Sequence, residues 1–320
     1  MSNTLTTAAN YLFGWTVLTI TLSWLLAGLY PVVSRILAKG KPESAAFYTL
    51  LYGLLAPTSA TTALSLLSLP ALAFPFIADH CHGFTCSPHA LHIATNTAAG
   101  IIIVTLAVTL LLCILAFMLI QLFSSSRRLQ LLSRLSETSA HNYRIVDESA
   151  HIAWCTGLLR PQVFVSRGLI DSLTNRQLEM VLAHELTHAI RKDNLRKWLA
   201  HWGTFAWPPL LKAKIRRDLS HHQERICDLA AARINKNYAS GNGFIWSLVA
   251  HDPSARQMTQ PRKQEPLGQK LTSSARLLPL ERGDLSISGL KSTGTIACAW
   301  LIASILALRL GHPLLEWLSQ

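Results

Sequence analysis

Residues 184–188 read His-Glu-Leu-Thr-His, a spacing that places two imidazoles on one face of a helix. Histidines four positions apart can both reach one tetrahedral zinc ion, and Glu185 can take a proton from a metal-bound water. The alternative is a helix with two hydrogen-bonded histidines beside a salt-bridged glutamate. The pattern predicts His184 and His188 as zinc ligands and Glu185 as the catalytic base.

The residues around this motif predict the helix that carries it. Thr174 and Gln177 have the spacing of a capping box, and Leu173 and Leu178 flank it as a hydrophobic staple. A stripe at helical spacing then gives the helix a buried face. This stripe consists of Leu178, Val181, Leu182 and Leu186.

A third zinc ligand is expected further along the chain, because a helix of this type supplies only two. The best candidate is Glu224, with Asp228 one helical turn later on the same face. Asp228 could accept the outer N–H of a ligand histidine and fix its tautomer. The alternative is that both carboxylates belong to a solvated helix face, paired with Arg217 or Arg225.

Composition indicates a membrane protein. Half of the 320 residues are hydrophobic, 14% are charged, and the mean hydropathy is +0.29. A bilayer-spanning helix needs about 20 apolar residues. We therefore expect a mostly α membrane protein with four transmembrane helices, the fourth of which could instead belong to a buried soluble core. The four stretches are residues 11–33, 46–69, 96–123 and 293–310.

The distribution of Lys and Arg predicts the orientation of these helices. Only Arg35, Lys39, Lys41 and Arg309 lie outside residues 124–292, which therefore hold 25 of the 29 basic residues. Basic loops stay in the cytoplasm. We expect an N-terminus outside, residues 1–123 as a membrane domain with three helices, residues 124–292 as a cytoplasmic domain, and residues 293–320 as the fourth helix with an outer C-terminus.

The net charge of +12 therefore mainly indicates which segments are cytoplasmic. It also attracts the protein to the anionic lipid bilayer. No module that reads nucleic acid is recognisable, so we expect no direct nucleic-acid partner. The outer loop contains Cys81 and Cys86, which could form a short disulfide or belong to a plain loop without one. The neighbouring histidines leave a second metal site open as the alternative; they are His80, His82, His89 and His92.

Two short strands are predicted ahead of the zinc helix, at residues 151–155 and 162–166, joined through Gly157 and Pro161. They make the cytoplasmic domain an α+β, zincin-like unit. The free edge of such a ribbon can hold an extended substrate by main-chain hydrogen bonds; otherwise it is an ordinary small sheet. The predicted substrate-binding residues are His151, Ile152, Ala153, Trp154 and Cys155.

Four segments in a fixed order resemble one known family: FVSRGLIDSL, NRQLEMVLAHELTHAIRKDN, a connector with Trp-Pro-Pro, and ERICD. They resemble the BlaR/MecR-type membrane metallopeptidases, which are gluzincins with a zinc domain in a cytoplasmic loop between membrane spans. The resemblance implies His184, His188 and Glu224 as zinc ligands, Glu185 as base and Asp228 as support. HtpX and CAAX-protease-like chains share the motifs, but three spans before the zinc helix and one after it favour BlaR/MecR.

The resemblance implies a zinc metalloendopeptidase of the bacterial inner membrane. Its substrate would be a cytosolic protein, with a transcriptional repressor as the leading candidate, and a sensor partner or a homodimer is compatible with it. The penicillin-binding domain that follows the last span in antibiotic-sensing members is missing from this sequence. We therefore expect the signal to come from outer loops, the membrane or a partner. The alternatives are an HtpX/CAAX-protease-like quality-control or processing peptidase, and a non-catalytic, zinc-stabilised signal transducer.

Overall fold

Three long helices form the first part of the protein: α1 at Ser2–Leu37, α2 at Pro42–Leu67 and α3 at Ala98–Arg134. They are seen in a computed structural model that describes residues 2–67, 81–82, 85–86, 98–139, 143–234 and 298–309. Pro57 lies inside α2 and does not end it. Helix α3 contains residues 98–123 of the predicted third span and continues without a break to Arg134.

Within these described ranges, two helical stretches are long and apolar enough to cross a membrane, Ala9–Leu37 and Val108–Arg134. Several threonines lower the hydropathy of helix α2. The hydroxyls of Thr58, Thr61 and Thr62 donate to carbonyls one turn back within the helix. The structure describes part of the predicted fourth span, namely the apolar helix Cys298–Arg309, which we name α8. The arrangement of four spans therefore stays a prediction.

A four-stranded sheet follows α3, in the order β3-β4-β6-β5. The strands are β3 at Glu137–Thr138, β4 at Tyr143–Val146, β5 at Ala153–Thr156 and β6 at Gln162–Ser166. Strands β4 and β6 are parallel, whereas β5 pairs with β6 in the antiparallel sense and forms the edge of the sheet. The first of the two predicted strands thus begins at Ala153, two residues later than expected, and His151 and Ile152 lie outside it.

The remaining helices are α4 at Arg167–Ser172, α5 at Asn175–Arg191, α6 at Asp193–Gly203 and α7 at Pro209–Ile234. Helix α5 packs on the sheet, where Val163 and Val165 of β6 meet Leu178 and Val181 of α5 in one buried cluster. This packing buries most of the predicted apolar stripe, and the neighbouring face of α5 is turned toward α7.

Helices α6 and α7 pack directly on α1 and α2. Ala46 of α2 shares a buried cluster with Ala200 of α6 and with Leu219 and Ile226 of α7. The close approach of α2 and α6 requires glycine, since a Cβ on Gly203 would lie 2.6 Å from a main-chain oxygen of α2.

Aromatic side chains fill a second contact between these helices. Tyr30 of α1 and Tyr52 of α2 surround the buried ring of Trp207, with centroids 5.6 and 6.0 Å away. The hydroxyl of Tyr30 donates to Asp218 of α7 at 2.8 Å, and Lys214 approaches the same carboxylate at 2.7 Å. The membrane-type helices α1 and α2 therefore share two buried clusters with α6, α7 and the connection between them.

The loop that the sequence predicts to lie outside is described only at β1, Cys81–His82, and β2, Thr85–Cys86, which pair in the antiparallel sense with Cys81 opposite Cys86. Disulfide formation between them stays a prediction. His80, His89 and His92 lie outside the described residues.

Candidate metal centre

Helix α5 begins where the sequence predicts. The hydroxyl of Thr174 accepts from the Gln177 backbone N–H, and the side-chain oxygen of Gln177 accepts from the N–H of Thr174. Each bond satisfies a donor that a helix start would otherwise leave without a partner. The capping box thereby fixes the register of the helix, and with it the direction in which His184 and His188 point.

His184 and His188 lie on the face of α5 that is turned toward α7, and both are largely enclosed by protein. Their Nε2 atoms converge on one oxygen of Glu224, Oε2, at 3.4 and 3.3 Å. The structure thus brings together the three side chains that the sequence proposes as ligands, from two helices separated by a turn and by α6.

The spacing of these atoms fits a tetrahedral metal. Two ligand atoms about 2.0–2.1 Å from one tetrahedral ion are themselves separated by about 3.3–3.4 Å. In the described part of the chain, the buried Oε2 of Glu224 meets no well-aligned hydrogen-bond donor, although both imidazole nitrogens lie at contact distance. A carboxylate oxygen in that position is suited to share a cation with the imidazoles, so the residues present fit a zinc ion.

A carboxylate also contacts the Nδ1 atom of each imidazole, the ring nitrogen that does not face Glu224. The Nδ1 of His184 lies 3.2 Å from Oδ1 of Asp228, and the Nδ1 of His188 lies 2.9 Å from Oδ2 of Asp193. Carboxylates in these positions select the tautomer whose Nε2 is free to bind metal. The Asp228 contact is the one expected from the sequence.

Asp193 was not predicted. It reaches back to His188 because Lys192 adopts a left-handed conformation, with φ of 52°, between α5 and α6. The carboxylate is buried, at 1% exposure, and also lies 3.6 Å from the Nε of Arg191. The available signal was an aspartate five residues after the second histidine, and it was missed because that spacing does not place both residues on one face of a continuous helix.

The electrostatics of the centre favour a cation. Burial opposes protonation of His184, but its contacts with Asp228 and Glu224 outweigh burial and raise its pKa. Burial likewise opposes protonation of His188, and contacts led by Asp193 raise its pKa well above the usual range. Burial would raise the pKa of Glu224, but the two imidazoles hold it far below its ordinary value. Negative charge is therefore concentrated around the two ring nitrogens.

Glu185 lies beside the centre and is itself buried, at 6% exposure. Burial raises the pKa of its carboxyl group, while the two neighbouring imidazoles and a backbone hydrogen bond from Cys155 partly offset this effect. A carboxylate with a raised pKa is a better proton acceptor at neutral pH. The geometry thus provides a general base next to the converging donors.

Cys227 is a further residue of the centre that the sequence did not single out. Its Sγ and the ring nitrogens of His184 and His188 all lie within 4.8 Å of one another, and the residue is fully buried. The available signal was its position on α7 between Glu224 and Asp228, on the same helix face. Lys197 also approaches the centre, with Nζ 3.6 Å from Oε1 of Glu224.

The edge strand β5 runs along this centre. Within the predicted substrate-binding segment, Cys155 touches Glu185 through its backbone, as described above. Trp154 stacks on Phe164 of β6, with ring centroids 5.5 Å apart. His151 and Ile152 are exposed and precede the strand.

The centre combines two histidines and Glu224, which converge on one point, with the buried Glu185 beside them. This set of residues, on helices that pack against membrane-type helices, is typical of membrane-associated metallopeptidases. The family model described as BlaR1 peptidase M56 matches residues 54–245, more than half of the chain. The protein belongs to this family, and its resemblance to BlaR/MecR-type peptidases is confirmed. Comparison with curated proteins and with solved structures finds no match.

Proposed function

We propose that the protein is a membrane-bound zinc metalloendopeptidase that hydrolyses peptide bonds of a cytosolic protein in regulatory signalling, with a transcriptional repressor as the leading substrate. The observation that carries the proposal is the convergence of two imidazole nitrogens and one carboxylate oxygen at 3.3–3.4 Å, beside the buried Glu185. His184, His188 and Glu224 would hold the metal.

Zinc bound to these residues would supply an acidified water and polarise the scissile carbonyl. Glu185 accepts the proton of the attacking water and delivers it to the leaving amine. Asp228 and Asp193 accept the Nδ1 protons of the two imidazoles, which leaves each Nε2 atom available to the metal and fixes the orientation of each ring. The edge strand β5 aligns an extended peptide alongside Glu185.

The proposed placement of this centre in the cell rests on the distribution of charge. We propose four membrane spans, an outer N-terminus and a centre on the cytoplasmic side, because residues 124–292 hold 25 of the 29 basic residues. In this arrangement Cys81 and Cys86 lie in an oxidising compartment, where a disulfide between them would be stable.

The test uses the full-length protein purified in detergent, with zinc measured by elemental analysis and peptidase activity on casein. His184→Ala should lose the metal. Glu185→Gln should keep the metal and lose at least about 100-fold in rate, the usual contribution of a general base. Glu179→Gln is the matched control, because it removes the same charge from the same helix and should cleave normally. Wild-type rates in Glu185→Gln would show that the mechanism is wrong.

The substrate is sought in cells that carry Glu185→Gln, because the natural target should accumulate uncleaved there. Accumulation of an intact cytosolic regulator supports repressor cleavage. Accumulation of many misfolded membrane proteins would instead identify a quality-control peptidase.

One observation favours a second candidate, the zinc-stabilised signal transducer without activity. Cys227 lies close enough to both imidazoles to act as a fourth protein ligand, and structural zinc sites are closed by four. Cobalt-loaded protein distinguishes the two. A thiolate-to-cobalt absorption band that disappears in Cys227→Ser indicates the closed site, whereas a spectrum identical in both proteins supports the peptidase.

A further inference from the structure

The outward edge of β5 offers few free main-chain groups. The N–H of Ser166 donates to the carbonyl of Ile152 at 3.0 Å, so the main chain of Ile152 faces β6. Main-chain groups alternate in direction along an antiparallel strand. Trp154 and Thr156 therefore also face β6, whereas Ala153 and Cys155 face outward, away from the sheet.

The outward groups of Cys155 are already used inside the protein. Its carbonyl accepts a hydrogen bond from Nδ2 of Asn194 at 3.1 Å, and the same amide group lies 3.5 Å from the carbonyl of Gly157. Its N–H is directed at the carboxylate of Glu185. An incoming peptide cannot pair at Cys155 without breaking these contacts.

Asn194 is placed for this contact by the same turn that places Asp193. The left-handed Lys192 ends α5, after which Asp193 bonds to His188 and Asn194 bonds to the edge strand. Two consecutive side chains of this turn thus bind to the metal helix and to β5, respectively.

Ala153 is left as the pairing position. In the described part of the chain, no hydrogen bond outside the β5–β6 ladder reaches its main-chain N–H or carbonyl. It lies about 7 Å along the strand from Cys155, at roughly 3.4 Å per residue. A peptide that pairs there therefore passes Glu185 within a few residues.

We propose that Asn194 is a positioning residue that closes the edge strand at Cys155, so that an extended peptide substrate pairs with the enzyme's strand through Ala153 alone. In an antiparallel arrangement, one substrate residue supplies both the N–H and the carbonyl for this pair. Proline has no N–H, so it is excluded from that one substrate position, and the neighbouring positions tolerate it. This inference rests on the proposed peptidase function.

The first experiment does not depend on activity. Hydrogen exchange is followed by mass spectrometry in the zinc-loaded, full-length protein in detergent, for fragments that cover residues 153–157. Asn194→Asp keeps the shape of the side chain but has no donor for the carbonyl of Cys155. The end of β5 should then open more readily, so exchange of the main-chain N–H groups in residues 153–157 should rise about tenfold, as expected for the loss of one ordinary hydrogen bond. Asn175→Ala, an exposed asparagine at the start of α5, is the matched control and should change nothing.

The second experiment maps the pairing. Casein is digested with the wild-type protein, and a peptide from the best-cleaved site is synthesised with one N-methylated amide at a time. Apart from the scissile amide, a single position should reduce kcat/KM by about tenfold or more. In Asn194→Asp, N-methylation at more than one position of the peptide should reduce kcat/KM. The zinc content of this variant should equal that of the wild type.

The outcomes separate the inference from the proposed function. Unchanged exchange in residues 153–157 of Asn194→Asp, or wild-type sensitivity at several N-methylated positions, overturns the inference while the peptidase stands. A wild-type protein that binds zinc but cleaves nothing overturns the peptidase, and with it the pairing at Ala153. Faster exchange in Asn194→Asp together with one sensitive position supports both.

Discussion

Replacing Asp193 tests the interpretation of the metal centre at a residue that is not itself a ligand. Its Oδ2 accepts from His188 at 2.9 Å inside the protein. Partners of this kind typically contribute 10–100-fold in metal affinity. Asp193→Asn keeps an acceptor oxygen and removes only the charge, so zinc affinity should fall about tenfold, or about 1.4 kcal/mol.

Asp193→Ala removes the acceptor as well and leaves the N–H of His188 enclosed without a partner, so the loss should approach about 100-fold, or about 2.7 kcal/mol. Arg191 also loses its carboxylate neighbour in this variant. The asparagine variant is therefore the cleaner measurement, and the alanine variant sets the upper bound.

Affinity is measured on the full-length protein in detergent, by competition with a chromophoric zinc chelator at fixed pH. Asp171→Asn is the control, because this aspartate is exposed on α4 and should have wild-type affinity. If Asp193→Ala binds zinc as tightly as the wild type, the carboxylate does not orient His188 for metal binding. The reasoning from the 2.9 Å contact would then be refuted.

Three further predictions concern the edge strand, the topology and the packing. Ala153→Pro removes the outward N–H of β5, so cleavage of casein should fall while zinc content is unchanged; normal cleavage would mean that substrate binds elsewhere. In a chain whose two outer-loop cysteines are replaced, a cysteine at Ser124 should be protected from impermeant thiol reagents in intact cells and one at Gln320 should be labelled. Labelling at both positions would contradict the orientation expected from charge. Gly203→Ala places a Cβ 2.6 Å from an oxygen of α2, so it should destabilise the protein by about 1–3 kcal/mol in thermal unfolding, whereas Gly28→Ala meets no atom within 4 Å and should be neutral.

Local sequence rules were sufficient for the metal helix. The capping box at Thr174 and the apolar stripe of α5 depend on residues three or four positions apart, and the structure has both. The same holds for β6, whose bounds match the prediction. These features can be read from the sequence because each arises from neighbouring residues in the chain.

Features that depend on the tertiary structure could not be predicted in this way. The left-handed conformation of Lys192 has no local signal, since glycine or asparagine would be expected there, and so the contact of Asp193 was missed. Strand β5 begins after Ile152 because Ser166 already starts to cap α4, and its hydroxyl, not its carbonyl, accepts the N–H of Ile152.

The two tryptophans of α6 illustrate the same limit. The sequence alone does not distinguish the membrane interface from the protein core as the environment of Trp198 and Trp202. The structure shows that both indole N–H groups donate to one acceptor, Oε1 of Gln121 in α3, at 2.8 and 3.1 Å. A single amide that serves two donors on another helix cannot be inferred from the order of residues.

The shared core of α1, α2, α6 and α7 has a practical consequence for how this protein can be produced. A soluble fragment that starts at residue 124 would uncover Trp207, Ile215 and Leu219, which are at most 4% exposed in the intact chain. It would also leave Asp218 without the hydroxyl of Tyr30. Such a fragment should aggregate or misfold, and helix α7, which carries Glu224, should lose its native position. Expression for enzymology should therefore retain the N-terminal helices and use detergent or lipid throughout.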